Sequence, residues 1–165
     1  MQWRRDPESS RKHILSSELG TAGWLSFAHA GGSLARGQTA HGGWTLKREG
    51  FLHPRVTVRR DGSDITIGIL ALSMSGGGIL TLAGAGEYRL LVSGWSRKRW
   101  NFVKGVETVV GFERSRSDTK VTIQDGGATP ETLSILCLLG RYMPLLADED
   151  DATMVACTAA IMGCL

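Results

Sequence analysis

Between Leu133 and Leu146 apolar residues occur at every angle around a helix, and no other feature restricts the fold as much. The run is Pro130–Ala147, PETLSILCLLGRYMPLLA. Leu133, Leu136, Cys137 and Gly140 lie on one side, and Ile135, Leu138, Leu139 and Tyr142 on the other. A surface helix keeps a polar stripe, so a helix that is apolar all round must be enclosed. Lipid is a poor enclosure here. A span needs about 20 apolar residues, and this run is cut by Arg141, Pro144 and the acidic stretch 148–151. The helix is expected inside protein, and the remaining chain must supply the container. Thr129 as cap, Pro130 at the first helical position and Glu131 in the first turn mark its start. Pro144 is expected to end or kink it. The acids 148–151 then form a turn before a second apolar helix over 152–165.

The chain before the helix reads as short β runs at regular spacing. They fall near 24–30, 33–39, 43–48, 55–60, 64–72, 79–83, 87–92, 99–103, 106–113 and 120–124. Several alternate: Trp44 and Leu46 against Thr45 and Lys47, or Val56 and Val58 against Arg55, Thr57 and Arg59. Asp61-Gly62-Ser63-Asp64 is a hairpin signal, and the glycine excess, 22 of 165 residues against a usual ~7%, fits many tight turns. Strand–helix–strand alternation is missing, which argues against a parallel α/β sheet. The expected fold is mainly β, α+β with C-terminal helices: an antiparallel β-barrel closed around a central hydrophobic C-terminal helix, since a wide barrel otherwise leaves a cavity. The expected organisation is a loose basic arm over 1–13, a barrel over 14–147 with its helix at about 130–146, and the acidic turn and extra helix over 148–165. The arm counts as a strand only if something pairs with it.

These segments resemble the tubby C-terminal-like superfamily, which joins tubby proteins, phospholipid scramblases and LURP-one-related proteins. The residues that carry the likeness are Gly43-Trp44-Thr45-Leu46-Lys47-Arg48, the stretch from Gly50 to Arg59, Glu87-Tyr88-Arg89-Leu90, Trp95 with Trp100-Asn101-Phe102, and the Leu133–Leu146 helix. They are similar to the small bacterial LURP-one-like branch. The resemblance implies a barrel of a dozen strands, two more than the runs counted above, wrapped around one hydrophobic helix. It also implies a phosphoinositide-type ligand.

Net charge is +3, unevenly spread. Four acids fall in the last 18 residues, which hold no Lys or Arg, so residues 1–147 carry 19 bases against 12 acids and a net +7. Such a surface is either solvated or attracted to anionic lipid or nucleic acid. Trp95-Ser96-Arg97-Lys98-Arg99-Trp100 is the leading functional candidate. Its cations suit an anionic membrane, with the indoles at headgroup depth. The competing reading is a charged hairpin tip with both indoles in the core. Lys47, Arg48, Arg55, Arg59 and Arg60 form a second cationic set, and phosphate binding follows if the two sets share a face.

Catalytic signatures do not emerge. His13, His29, His41 and His53 have no metal-ligand spacing, and Cys137, Cys157 and Cys164 form neither a zinc pattern nor a disulfide framework. Ser73–Gly78 lacks the leading glycine of a nucleophile elbow, and Gly84-Ala85-Gly86 lacks the third glycine of a dinucleotide loop. The sequence therefore predicts a non-enzymatic domain with no cofactor and no metal. The expected location is cytoplasmic, peripheral at an anionic membrane. The alternatives are a structural or protein-interaction module, or a single-stranded nucleic-acid binder stacking bases on Trp95 or Trp100.

Overall fold

Alternation of buried and exposed side chains sets the architecture. In the computed structural model twelve antiparallel strands form one closed barrel in chain order. They are β1 (Gln2–Asp6), β2 (Ser9–Ser17), β3 (Gly20–Phe27), β4 (Leu34–Thr39), β5 (Gly42–Glu49), β6 (Arg55–Arg60), β7 (Thr66–Leu72), β8 (Gly78–Leu82), β9 (Gly86–Ser93), β10 (Arg99–Lys104), β11 (Glu107–Ser115) and β12 (Asp118–Ile123). One helix follows, α1 (Pro130–Gly163). The structure describes residues 1–163 apart from 30, 31, 51, 75, 94–97, 117 and 125, and side chains along α1 as far as Asp148.

Two of the twelve strands lie where a loose arm was expected. Gln2 and Trp3 of β1 pair with Lys120 and Thr119 of β12, and β1 pairs on its other edge with β2. Residues 1–13 are therefore part of the wall, and they close it. Trp3 is fully buried, so the closing strand also contributes to the core. A barrel has no free strand edge, which removes the template for intermolecular pairing.

The helix does not end at Pro144: α1 is a single helix, not two. A proline inside a helix removes the donor for the carbonyl four residues earlier. That carbonyl belongs to Gly140, and the Trp100 indole Nε1–H donates to it at 2.9 Å. A side chain from the wall thus supplies the missing hydrogen bond. Gly140 permits the approach, because a Cβ there would lie 2.0 Å from Phe112. The start of the helix forms as the sequence dictates, with the Thr129 hydroxyl accepting from the Thr132 backbone N–H at 3.2 Å.

Turns after the odd-numbered strands gather at one end of an antiparallel barrel and turns after the even-numbered strands at the other. Near its start α1 meets the even end, where Glu131 pairs with Arg60 and Ser134 accepts from Thr39 at 3.0 Å. Further on it meets the odd end, where the Tyr142 hydroxyl donates to the Ser33 carbonyl. The helix packs against β3, β4, β5, β10, β11 and β12. Leu136, Leu138, Leu139 and Tyr142 share one buried cluster with Leu25, Trp44, Leu46, Phe102 and Val110 from the wall.

Candidate functional site

A cavity of about 350 Å³ opens at the odd end, between α1 and the ends of β5, β7, β9, β10 and β11. Leu72, Leu90, Val92, Trp100 and Leu146 give it apolar walls, while Arg48, Arg114 and Asp148 bring charge to it. Strand parity explains both cations. Arg48 is two residues beyond buried Leu46, and Arg114 two beyond buried Phe112, so each continues the inward-facing row of its strand. At the strand ends that row leaves the core and reaches solvent. Arg114 holds Asp148 through two parallel bonds, Nη1 to Oδ1 at 2.9 Å and Nη2 to Oδ2 at 2.7 Å. This pairing raises the Arg114 pKa despite partial burial.

Trp100 was a candidate ligand-binding side chain, and its environment is internal. It is 4% exposed, its ring stacks on Phe112 at 5.5 Å, and its only N–H is used by Gly140. Phe112 also meets Phe102 edge to face. Trp95 and Arg97 lie outside the described residues. Lys98 and Arg99 are exposed at the odd end, and Arg99 reaches Glu113 on β11 at 2.7 Å.

The second cationic set does not form one face. Lys47, Arg55 and Arg59 point outward and surround Glu49, at 3.8, 3.7 and 3.8 Å. Arg48 points to the cavity instead. Arg60 sits at the even end on Glu131 of the helix. Alternation separates Arg48 from its sequence neighbours, and the length of β6 separates Arg60 from Arg55. Arg55 does share the odd end with Lys98 and Arg99, with β7, β8 and β9 between them.

The odd end carries an arc of exposed cationic and apolar side chains that the sequence list only partly contained. Successive turns from β5/β6 to β11/β12 present Leu52, His53 and Arg55, then Met74, then Lys98 and Arg99, then Arg116, all exposed. Leu52 is 83% exposed and Met74 fully so. The even end also has exposed apolar tips, Leu19, Ile65 and Val106. Their neighbours there include the acids Glu18, Asp64 and Glu107 and the cations Arg60 and Lys104. The arc also holds acids, Glu49 beside Arg55 and Glu113 beside Arg99, with Asp118 at the start of β12. Arg114 and Asp148 were missed from sequence, although the Val110, Phe112, Arg114 parity was available to find the first.

Deeper in the fold, Arg141 of α1 is buried. It donates from Nη1 to the Thr119 hydroxyl and from Nη2 to His13 Nδ1, both at 2.9 Å. An arginine has only donors, so Nδ1 is the acceptor and the imidazole is neutral with its proton on Nε2. Burial, with the Arg141 and Arg5 charges, lowers the His13 pKa to about 4. Burial lowers Arg141 itself to about 10.

Among the described residues no three His, Cys, Asp or Glu side chains gather as metal ligands, and no helix is long and apolar enough to cross a membrane. No family model matches the chain, and no curated protein and no solved structure is significantly similar to it.

Proposed function

We propose that this protein is a non-enzymatic tubby-like barrel of the LURP-one-related kind, with α1 running through the lumen, and that its odd end binds anionic phospholipid headgroups at the cytoplasmic membrane surface. The arc of exposed cations around Leu52 and Met74 carries the lipid reading. Each Lys or Arg close to an acidic leaflet contributes about 1 kcal/mol, and exposed apolar tips add burial at the interface. The lumen placement rests on helix residues meeting inward-facing side chains from strands on both sides of the β1–β12 closure, with contacts at both ends. The burial of Trp100 favours lipid over nucleic acid, because a base has no access to its ring face.

Vesicle sedimentation tests the surface reading. Phosphatidylserine or phosphoinositide vesicles should retain the protein at low salt and release it at high salt, while phosphatidylcholine vesicles should not bind it. Lys98→Glu, Arg116→Glu and Met74→Asp should each weaken retention, and Ile65→Asp and Val106→Asp at the opposite end should not. Equal effects from both ends, or equal binding to neutral vesicles, would defeat the proposal. Retention of single-stranded oligonucleotides or of a soluble protein in place of vesicles would point to the other classes. Pulse alkylation tests the helix placement. Burial pushes the Cys137 thiol up to about 12, so that residue should resist maleimide until the barrel unfolds globally.

A further inference from the structure

The odd-end cavity has a definite chemical complement. From its walls and its charges we infer that it binds a single-chain anionic amphiphile, an acyl chain with a carboxylate or phosphate head. Arg48 and Arg114 hold the head, and Asp148 is the built-in competitor that it displaces. This deepens the lipid reading but stands on the cavity itself.

Four observations carry it. The volume, about 350 Å³, lies at the small end of the usual 300–1,000 Å³ for ligand sites; it suits one chain and not a two-chain lipid. The walls from Leu72, Leu90 and Val92 are apolar, and Trp100 adds only ring carbon, its N–H being committed to Gly140. Two guanidiniums, Arg48 and Arg114, reach the cavity beside the Asp148 carboxylate. Finally, Arg114 already grips a carboxylate in fork geometry, the arrangement it would offer to a fatty-acid or phosphate head. That grip is exchangeable. The side chains of Arg114 and Asp148 are 35% and 45% exposed, and ion pairs so open to water are weak. Asp148 lies in the part of α1 that borders the cavity, so its carboxylate stands at the mouth where an incoming head would arrive.

Displacement of the fluorescent fatty acid cis-parinarate from the full chain tests the inference, with all ligands below their aggregation concentrations. Oleate and oleoyl-lysophosphatidate should both compete, and their ranking identifies the preferred head. Monoolein, which has the same chain and no charge, should compete at least tenfold more weakly. Within saturated fatty acids, affinity should rise about fourfold per methylene and level off once the chain fills the cavity. Asp148→Asn should tighten both anions severalfold. The double variant Arg48→Gln/Arg114→Gln should weaken them at least tenfold and leave monoolein unchanged. Val92→Trp should block every chain yet leave vesicle sedimentation intact, which separates this site from the surface. If Val92→Trp does not fold, the double variant, at two partly exposed positions, carries the test alone. The inference is overturned if neither anion displaces the probe, if monoolein matches oleate, or if the arginine and aspartate variants bind as the parent does.

Discussion

Trp100 and Pro144 illustrate how one residue's defect is answered by another 44 positions away in sequence. Proline deprives the Gly140 carbonyl of its helical donor, and the indole N–H supplies one. A buried carbonyl left without a donor costs about 1–3 kcal/mol, so Trp100→Phe should destabilise the fold by at least that much. Pro144→Ala restores a backbone N–H to Gly140. In that background the cost of Trp100→Phe should shrink by 1–2 kcal/mol, within the usual range for contacting pairs. Urea denaturation of the four proteins of the cycle measures this, and additivity within about 0.5 kcal/mol would refute the compensation. Gly140 is held for a related reason. The space its Cβ would take belongs to Phe112, on which Trp100 stacks.

At the level of elements, β1 is short, polar on its outer face and yet decisive. It pairs along both edges and brings Trp3 into the core. The Met1 carbonyl also accepts from the Val121 N–H at 2.9 Å. Removing residues 1–6 would leave facing edges on β2 and β12 and a hole where an indole was, a loss of about 3–5 kcal/mol from the side chain alone. The shortened protein is expected to self-associate through those edges. Size-exclusion chromatography with light scattering reads the outcome, and a stable monomer of unchanged melting temperature would show that closure by β1 is dispensable. Whereas β4, Leu34–Thr39, is polar and a poor strand by propensity, elements β3 and β5 to β12 announced themselves through alternation and turn residues. Strands β1 and β2 did not, because Ser9-Ser10-Arg11-Lys12 has little strand propensity and its partners lie far along the chain. Pairing across the closure overrode local preference. The helix was legible for the opposite reason, since its apolar character needs no partner to be recognised.

For the whole molecule, acid stability should be governed in part by the buried His13–Arg141 contact. His13 titrates near 4 when folded and near 6.5 when unfolded. Between those values the unfolded chain binds the extra proton, so stability rises with pH there. The contribution is complete above about pH 6.5 and lost as the pH falls towards 4, by at most about 3 kcal/mol. His13→Gln keeps an acceptor for Arg141 without titrating, and it should flatten the profile of denaturation midpoint against pH over that interval. An unchanged slope would assign the acid sensitivity to other groups. The same molecular view explains the candidate site. The sequence by itself determined that an all-round apolar helix would be buried, that a β meander would accompany it, and that the chain before residue 148 would be basic. These are properties of composition and local period, which no partner can alter. Only the tertiary structure decided which cations act together. Alternation turned Arg48 to the cavity and Lys47 away from it, the length of β6 sent Arg60 to the far end, and closure set Arg114 across from Asp148. Charge in a sequence is additive, but a binding site depends on direction and distance, and those exist only once the wall is closed.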